Sequence, residues 1–142
     1  MREKVAMMLI DRKIKVREGR SNEASMVDNT IWYNAKEAAK DEYGFVRNLR
    51  ERHYYAAEGL NLKLITLLHE VGHIKTRDYT FESDNDNMNR TLCALTPKEV
   101  AMENIELQDL YYALPLEWEA TEWAIDWLNR NRLKAKILNK IL

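Results

Sequence analysis

The chain has 142 residues and a formal net charge of −1 at pH 7, so residues 1–142 are long enough for one domain with its own core. A charge so close to zero argues against a general nucleic-acid binder, and we expect no direct nucleic-acid partner. The single cysteine, Cys93, excludes an internal disulfide framework and fits a reducing compartment.

The N-terminal segment is predicted to form a short helix over residues 2–11. Its apolar stretch, residues 5–10, is too short for a signal peptide or a membrane span, so we expect a cytoplasmic protein with no membrane partner. Charge is unevenly spread. Residues 1–20 carry seven bases against three acids, whereas residues 78–126 carry twelve acids against two bases. Solvated helix faces are the simplest explanation for such runs.

A small sheet is predicted to follow this helix. Alternating apolar and charged residues indicate a strand over residues 13–17, and residues 19–22 form a turn. β-Branched and aromatic residues then indicate a second strand over residues 26–34. We expect a small antiparallel sheet with two or three strands.

The rest of the chain is predicted to be mostly helical, which gives an α+β fold. Gly59 is expected to end the first long helix, and the polar segment 78–89 to form an exposed loop without the spacing of an EF-hand. A capping box begins at Thr96, and Pro115 is typical of a first helical position. The predicted helices cover residues 46–58, 62–76, 96–113, a segment that starts at Pro115, and the amphipathic segment 130–142.

One pentapeptide carries most of the functional information. His69 and His73 are four residues apart, so on a helix they share a face and can bind one metal ion. Glu70, about 100° further round the helix, lies beside such a site and can act as a general base. The apolar run before His69 predicts a buried helix, and buried histidines need partners. The H-E-x-x-H spacing therefore predicts a zinc site that lacks only its third protein ligand.

No histidine follows His73, so the third ligand is expected to be a carboxylate from the helix that starts at Pro115. On that helix Glu117 shares a face with small alanines, whereas Glu119, Glu122 and Asp126 gather on the opposite side. This placement favours Glu117. Glu122 stays a competing candidate because it has an E-x-x-x-D spacing with Asp126, and Glu119 is the third candidate.

These two segments resemble the ImmA/IrrE family of zinc metallopeptidases. The segment that ends at His73 has the sequence T-L-L-H-E-V-G-H and is similar to the family's T-L-A-H-E-L-G-H. The segment that starts at Glu117, E-W-E-A-T-E-W-A-I, is similar to its E-Y-x-A-N-x-W-A-I, with Thr121 at the family's asparagine. The resemblance implies zinc on His69, His73 and Glu117, with Glu70 as the catalytic base.

The resemblance also implies a compact zincin-like domain, in which a small sheet covers the active-site helix and a second helix delivers the glutamate. Members of the family occur in phages and mobile elements and act on intracellular regulatory proteins. The expected substrate is therefore a protein, and a helix-turn-helix repressor is the leading candidate. The alternative is a catalytically silent zinc-binding module that recognises a partner, or a helical interaction protein whose H-E-x-x-H is accidental.

The expected reaction is metal-assisted hydrolysis of a peptide bond, with Glu70 taking a proton from the attacking water and passing it to the leaving amine. Extended substrate is expected to pair with an exposed strand edge at Thr30–Tyr33. The sequence does not select the donor that stabilises the oxyanion. The candidates are Tyr79, Tyr111, Tyr112 and His53.

Overall fold

The structure is a computed structural model that describes residues 2–40, 45–54, 59–76 and 105–142. Within these ranges the chain forms one three-stranded sheet and seven helices, which confirms the predicted α+β class. No helix in the described ranges combines the length and the apolar character that a membrane span requires. The predicted loop 78–89, the predicted helix start at Thr96 and the side chain of Cys93 lie outside the described residues.

The elements follow the predicted order along the chain. In that order they are α1 (Arg2–Ile10), β1 (Lys15–Glu18), β2 (Glu23–Ser25), β3 (Thr30–Tyr33), α2 (Ala35–Lys40), α3 (Phe45–Glu51), α4 (Leu62–Lys75), α5 (Ile105–Ala113), α6 (Pro115–Arg130) and α7 (Arg132–Ile141). Helices α1, α4, α6 and α7 lie where their sequence patterns predicted them. The predicted helix 46–58 is shorter than expected, because α3 ends at Glu51 and His53 adopts a left-handed conformation with φ of 58°.

The sheet is mixed, where only antiparallel pairing was predicted. Its strand order is β1-β3-β2, with β1 parallel and β2 antiparallel to β3. The single strand predicted over residues 26–34 is in fact a turn and β3, and β2 precedes them. Asn29 has a left-handed φ of 50° at the end of that turn, which brings Ser25 opposite Thr30. The extra strand β2 therefore forms a hairpin with β3.

The parallel pairing arises because residues 19–22 carry the chain across the end of β3. Asn34 fixes this crossing: its main-chain N–H donates to Asn22 Oδ1 (2.8 Å) and its side-chain amide donates to the carbonyl oxygen of Gly19 (3.0 Å). A Cβ atom at Gly19 would lie 3.0 Å from Cβ of Trp32, so the crossing chain passes close to β3. The prediction that Thr30–Tyr33 is an exposed edge is wrong, since β3 has a neighbour on both sides.

Helix α4 forms the centre of the core. Its residues from Leu64 to Ile74 are buried except Thr66, as the apolar sequence before His69 predicted. Asn61 caps its N-terminus by accepting a hydrogen bond from the main chain of Leu64 (2.8 Å). The sheet covers one side of α4 through β2 and β3, and α6 packs along another. Helix α4 is thus held between the sheet and a second long helix, as expected for a zincin-like domain.

Candidate metal centre

The two histidines of α4 meet at the interface with α6. His69 and His73 are one helical turn apart, their ring centroids are 4.7 Å apart, and the rings are nearly perpendicular. Both side chains are buried. Phe45 from α3 packs its ring edge-to-face against His69 at 5.1 Å and limits access from that side. The pair therefore presents its Nε2 atoms in a desolvated environment.

Glu117 reaches both histidines from the first turn of α6. Its Oε2 lies 2.7 Å from Nε2 of His69 and 3.3 Å from Nε2 of His73. Leu114 precedes the helix and Pro115 occupies its first turn, so α6 begins just before the glutamate. The structure thus brings together His69, His73 and Glu117, as the helical-face argument predicted. Their role as metal ligands stays a prediction.

The close approach of α4 and α6 depends on two small residues. Gly72 faces Ala120, and a Cβ atom at Gly72 would lie 2.9 Å from Cα of Ala120, closer than real side chains come. Ala124, one turn further along α6, is also fully buried. Ala120 and Ala124 are the small residues that the sequence analysis placed on the same face of α6 as Glu117. Without them the carboxylate of Glu117 would be held further from the imidazoles.

Neighbouring hydroxyl groups orient two of the three side chains, Glu117 and His69. The Tyr111 hydroxyl donates to Oε1 of Glu117 (2.9 Å), the carboxylate oxygen that does not face the histidines. The Thr121 hydroxyl donates to the carbonyl oxygen of Glu117 (3.0 Å), and its oxygen lies 3.1 Å from Nδ1 of His69. A hydroxyl that has used its proton can accept from Nδ1–H, and a metal ion would then bind Nε2 of His69 in place of its hydrogen bond with Glu117.

Glu70 lies next to the histidines and is also buried. One ligand atom of each of His69, Glu70 and His73 lies within 4.8 Å of the others, so this buried group can hold a metal ion. Burial raises the pKa of Glu70 to about 8, and the charges of Glu117 and Glu23 act in the same direction, against that of His73. At neutral pH the Glu70 carboxyl of the metal-free cluster is therefore mostly protonated, and it would have to lose that proton before it could act as a base.

Glu117 and His73 form a buried ion pair beside His69. Burial by itself would raise the pKa of Glu117, but the charge of His73 and hydrogen bonds with both histidines hold that pKa well below its usual range. Burial disfavours the charged form of His73 as well, yet the carboxylate of Glu117 outweighs it and raises the pKa of His73 to about 9. Burial dominates at His69 and lowers its pKa. Metal binding would therefore displace the proton of His73.

The competing carboxylates point elsewhere. Glu122 contacts Arg52 and the Tyr54 hydroxyl, and Arg52 lies over the ring of Trp118 at 3.3 Å from its centroid. Asp126, its partner in the E-x-x-x-D spacing, pairs with Arg130 at 3.0 Å. Glu119 lines an open groove of about 590 Å³ together with Glu122 and Asp126. The contacts of Glu122 thus join the segment that follows α3 to α6. The sequence did not indicate these contacts.

The candidate donors for the oxyanion that the structure describes also differ in their distance from the histidines and Glu117. Tyr111 is in contact with Glu117, and Tyr112 is buried and stacked on Phe45. His53 is exposed at the end of α3. Tyr79 lies outside the described residues. Tyr111 contacts the histidine–glutamate cluster through its hydrogen bond to Glu117.

We compared the chain with protein-family models, with curated proteins and with solved structures, and none of them matched. Membership of the ImmA/IrrE family therefore stays a prediction that rests on the two sequence segments.

Proposed function

We propose that the protein is a zinc-dependent metallopeptidase that acts on an intracellular regulatory protein. The observation that carries this proposal is the convergence of Glu117, from α6, on the Nε2 atoms of both histidines of α4. Two imidazoles and one carboxylate are the protein ligands of many catalytic zinc sites, which keep a further position open. Glu70 beside them is the fourth functional group that such a site requires.

The donor set fits zinc. Three buried nitrogen and oxygen donors converge, and Thr121 and Tyr111 orient two of them through hydrogen bonds. Bound zinc would supply an activated water and a positive charge beside the scissile carbonyl. Glu70 would take a proton from the water while the water oxygen forms a bond to the carbonyl carbon. The same proton would pass to the leaving nitrogen as the carbon–nitrogen bond breaks.

The sheet offers one edge to an extended substrate on the side of α4. Strand β2 packs against α4, and in the described ranges no strand pairs with its outer edge. An extended peptide could pair there with Glu23–Ser25, in place of the edge predicted at Thr30–Tyr33. The resemblance of the sequence to ImmA/IrrE proteins supports a repressor with a helix-turn-helix domain as the substrate.

Metal content tests the ligand set. We expect purified protein to bind zinc in a one-to-one ratio and Glu117→Ala to lose most of it, because the site would keep only two ligands. Glu119→Ala is the matched control, since it removes the same group from the same helix on another side. Equal zinc in Glu117→Ala and the unaltered protein would reject Glu117 as a ligand. Absence of zinc from the unaltered protein would favour an interaction protein with an accidental H-E-x-x-H.

Cleavage tests the role of Glu70. We expect Glu70→Gln to retain zinc and to cleave a helix-turn-helix repressor offered as substrate at least about 100-fold more slowly, the usual range for loss of a general base. Mass spectrometry of the products would locate the broken bond. If Glu70→Gln retains both zinc and full biological function, the protein is a zinc-binding regulatory module that does not need cleavage.

A further inference from the structure

A second feature lies at the other edge of the sheet, where α1 and β1 border a groove of about 720 Å³. Its rim carries four cationic side chains and one acidic side chain, Glu18. The cations are Lys4, Arg12, Lys15 and Arg17, and all four are exposed. The uneven charge of residues 1–20, which the sequence explained as a solvated face, is thus concentrated around one groove.

The interior of the groove is apolar. Met7, Ile14 and Val16 are buried beneath it, whereas Met8 is 60% exposed on its α1 side. Residues from both faces of β1 line the groove, since the side chains of Lys15 and Arg17 point to the face opposite to that of Val16. A groove lined by both faces of a strand runs along the strand's edge.

That edge has unpaired main-chain groups. β1 bonds to β3 on its inner side, where the N–H of Lys15 donates to the carbonyl oxygen of Asn29 (2.9 Å). In a parallel ladder alternate residues bond to one neighbour, so the main-chain groups of Val16 and Glu18 face outward. In the described ranges no strand pairs with this side of β1. An unpaired edge can accept another strand.

The cations on the rim are not neutralised within the described part of the protein. Among those residues no carboxylate forms an ion pair with Lys4, Arg12 or Lys15, and Arg17 lies 6.0 Å from the ring centroid of Trp32. Two copies of β1 side by side would place these like charges against each other, which disfavours a second copy of the chain as the occupant. An acidic segment would meet complementary charge.

We propose that this groove binds an extended acidic segment of a partner protein, which adds to β1 as a fourth strand. Side chains on one face of the added strand would meet Lys15 and Arg17, and those on the other face would contact Met8 and the apolar interior. The recognised segment therefore alternates acidic and apolar residues. The site is at the opposite edge of the sheet from β2 and α4, and it does not depend on the metal centre or on cleavage.

The proposal is tested with a short peptide that alternates glutamate and valine, labelled for fluorescence anisotropy. We expect it to bind the unaltered protein, and the double variant Lys15→Glu, Arg17→Glu to bind it roughly tenfold or more weakly, because two exposed ion pairs become repulsive. The double variant Lys134→Glu, Lys136→Glu makes the same change of charge on the exposed face of α7. It should bind the peptide as the unaltered protein does.

A second peptide keeps the test valid if the first variant does not fold. It has the same sequence but carries N-methyl groups on alternate residues, so it cannot complete a strand ladder although its charge is unchanged. We expect the methylated peptide to bind the unaltered protein much more weakly, and the main-chain amide signals of Val16 and Glu18 to shift only with the unmodified peptide.

Four results would overturn the proposal. They are no binding of the unmodified peptide, equal binding of the methylated peptide, equal loss of binding in the α7 control, and occupation of the edge by another partner. The last would appear as concentration-dependent dimerisation abolished by the change at β1, or as binding to anionic lipid vesicles but not to the peptide.

Discussion

The hydroxyl of Thr121 contacts both helices of the candidate metal centre, α4 through the imidazole of His69 and α6 through the main chain of Glu117. Such a group fixes which ring nitrogen carries the proton. We expect Thr121→Val, which keeps the shape but removes the hydroxyl, to weaken zinc binding by about 10- to 100-fold. Competition with a chromophoric chelator measures this affinity. Thr121→Ser should bind zinc nearly as well as the unaltered protein, and equal affinity of the valine variant would refute the role.

A second prediction at this scale concerns Gly72. In an ordinary helix interior, replacing glycine by alanine stabilises the fold by roughly 0.5–1 kcal/mol. At Gly72 the added Cβ would overlap the main chain of Ala120, so we expect Gly72→Ala to lower the free energy of unfolding by about 1–3 kcal/mol instead. Urea denaturation measures the change. A variant as stable as the unaltered protein would show that α6 can move away from α4 at little cost.

Individual residues also show what the sequence can predict. Glu117 was favoured because the period of the α-helix alone places it on the face of Ala120 and Ala124, and this calculation is local. Arg52 had no such signal. Its contacts with Glu122 and Trp118 join segments about seventy residues apart, and no periodic pattern encodes that pairing. The same contacts explain why Glu122 is unavailable to the histidines.

At the scale of elements, helices α1 and α4 are joined at their C-terminal ends by an ion pair between Asp11 and Lys75. Burial opposes the charge of Asp11, but the hydrogen bonds and positive charges of Lys75 and Lys13 together outweigh it and lower the pKa of Asp11 below its ordinary value of 3.8. A carboxylate with a lowered pKa stabilises the fold above its ordinary pKa, and this contribution is lost as the pH falls through the pKa of the folded state.

We therefore expect Asp11→Asn to reduce the free energy of unfolding near pH 7 by up to about 1 kcal/mol, the range of exposed ion pairs. The difference from the unaltered protein should shrink as the pH is lowered below 4, because the aspartate then becomes neutral too. Asparagine keeps the acceptor for the main-chain N–H of Lys13. A difference that is constant from pH 3 to pH 7 would mean that the charge of Asp11 is not the cause.

The elements differ in how well the sequence predicted them. Helices α4, α6 and α7 have long apolar periodicities or clear first residues, and their positions were predicted closely. The pairing of the strands was not predicted. It depends on where residues 19–22 cross β3, and the contacts of Asn34 fix that crossing. Strand β2 has three residues, too few for an alternating pattern to be visible.

For the whole molecule, the proposed metal ion would link α4 and α6, which enclose much of the core. A ligand that binds only the folded state stabilises it, by about 2.7 kcal/mol when its free concentration is 100 times the dissociation constant. For a domain of this size, removal of zinc with a chelator should lower the midpoint of thermal unfolding by about 10 °C. Calorimetry would measure the shift, and Glu117→Ala should show almost none.

The contact of Gly72 with Ala120 has a further consequence, for the choice of ion. The distance between the two helices that carry the proposed ligands is set, at Gly72 and Ala120, by main chain against main chain. A site between helices held in this way has a nearly fixed width. If the proposed ligands bind a metal here, we expect small ions such as zinc, which bind nitrogen and oxygen at about 2.0–2.2 Å, to be preferred over calcium, whose ligands lie at about 2.3–2.6 Å. Discrimination between ions by radius would thus originate in the absence of a side-chain methyl group at Gly72.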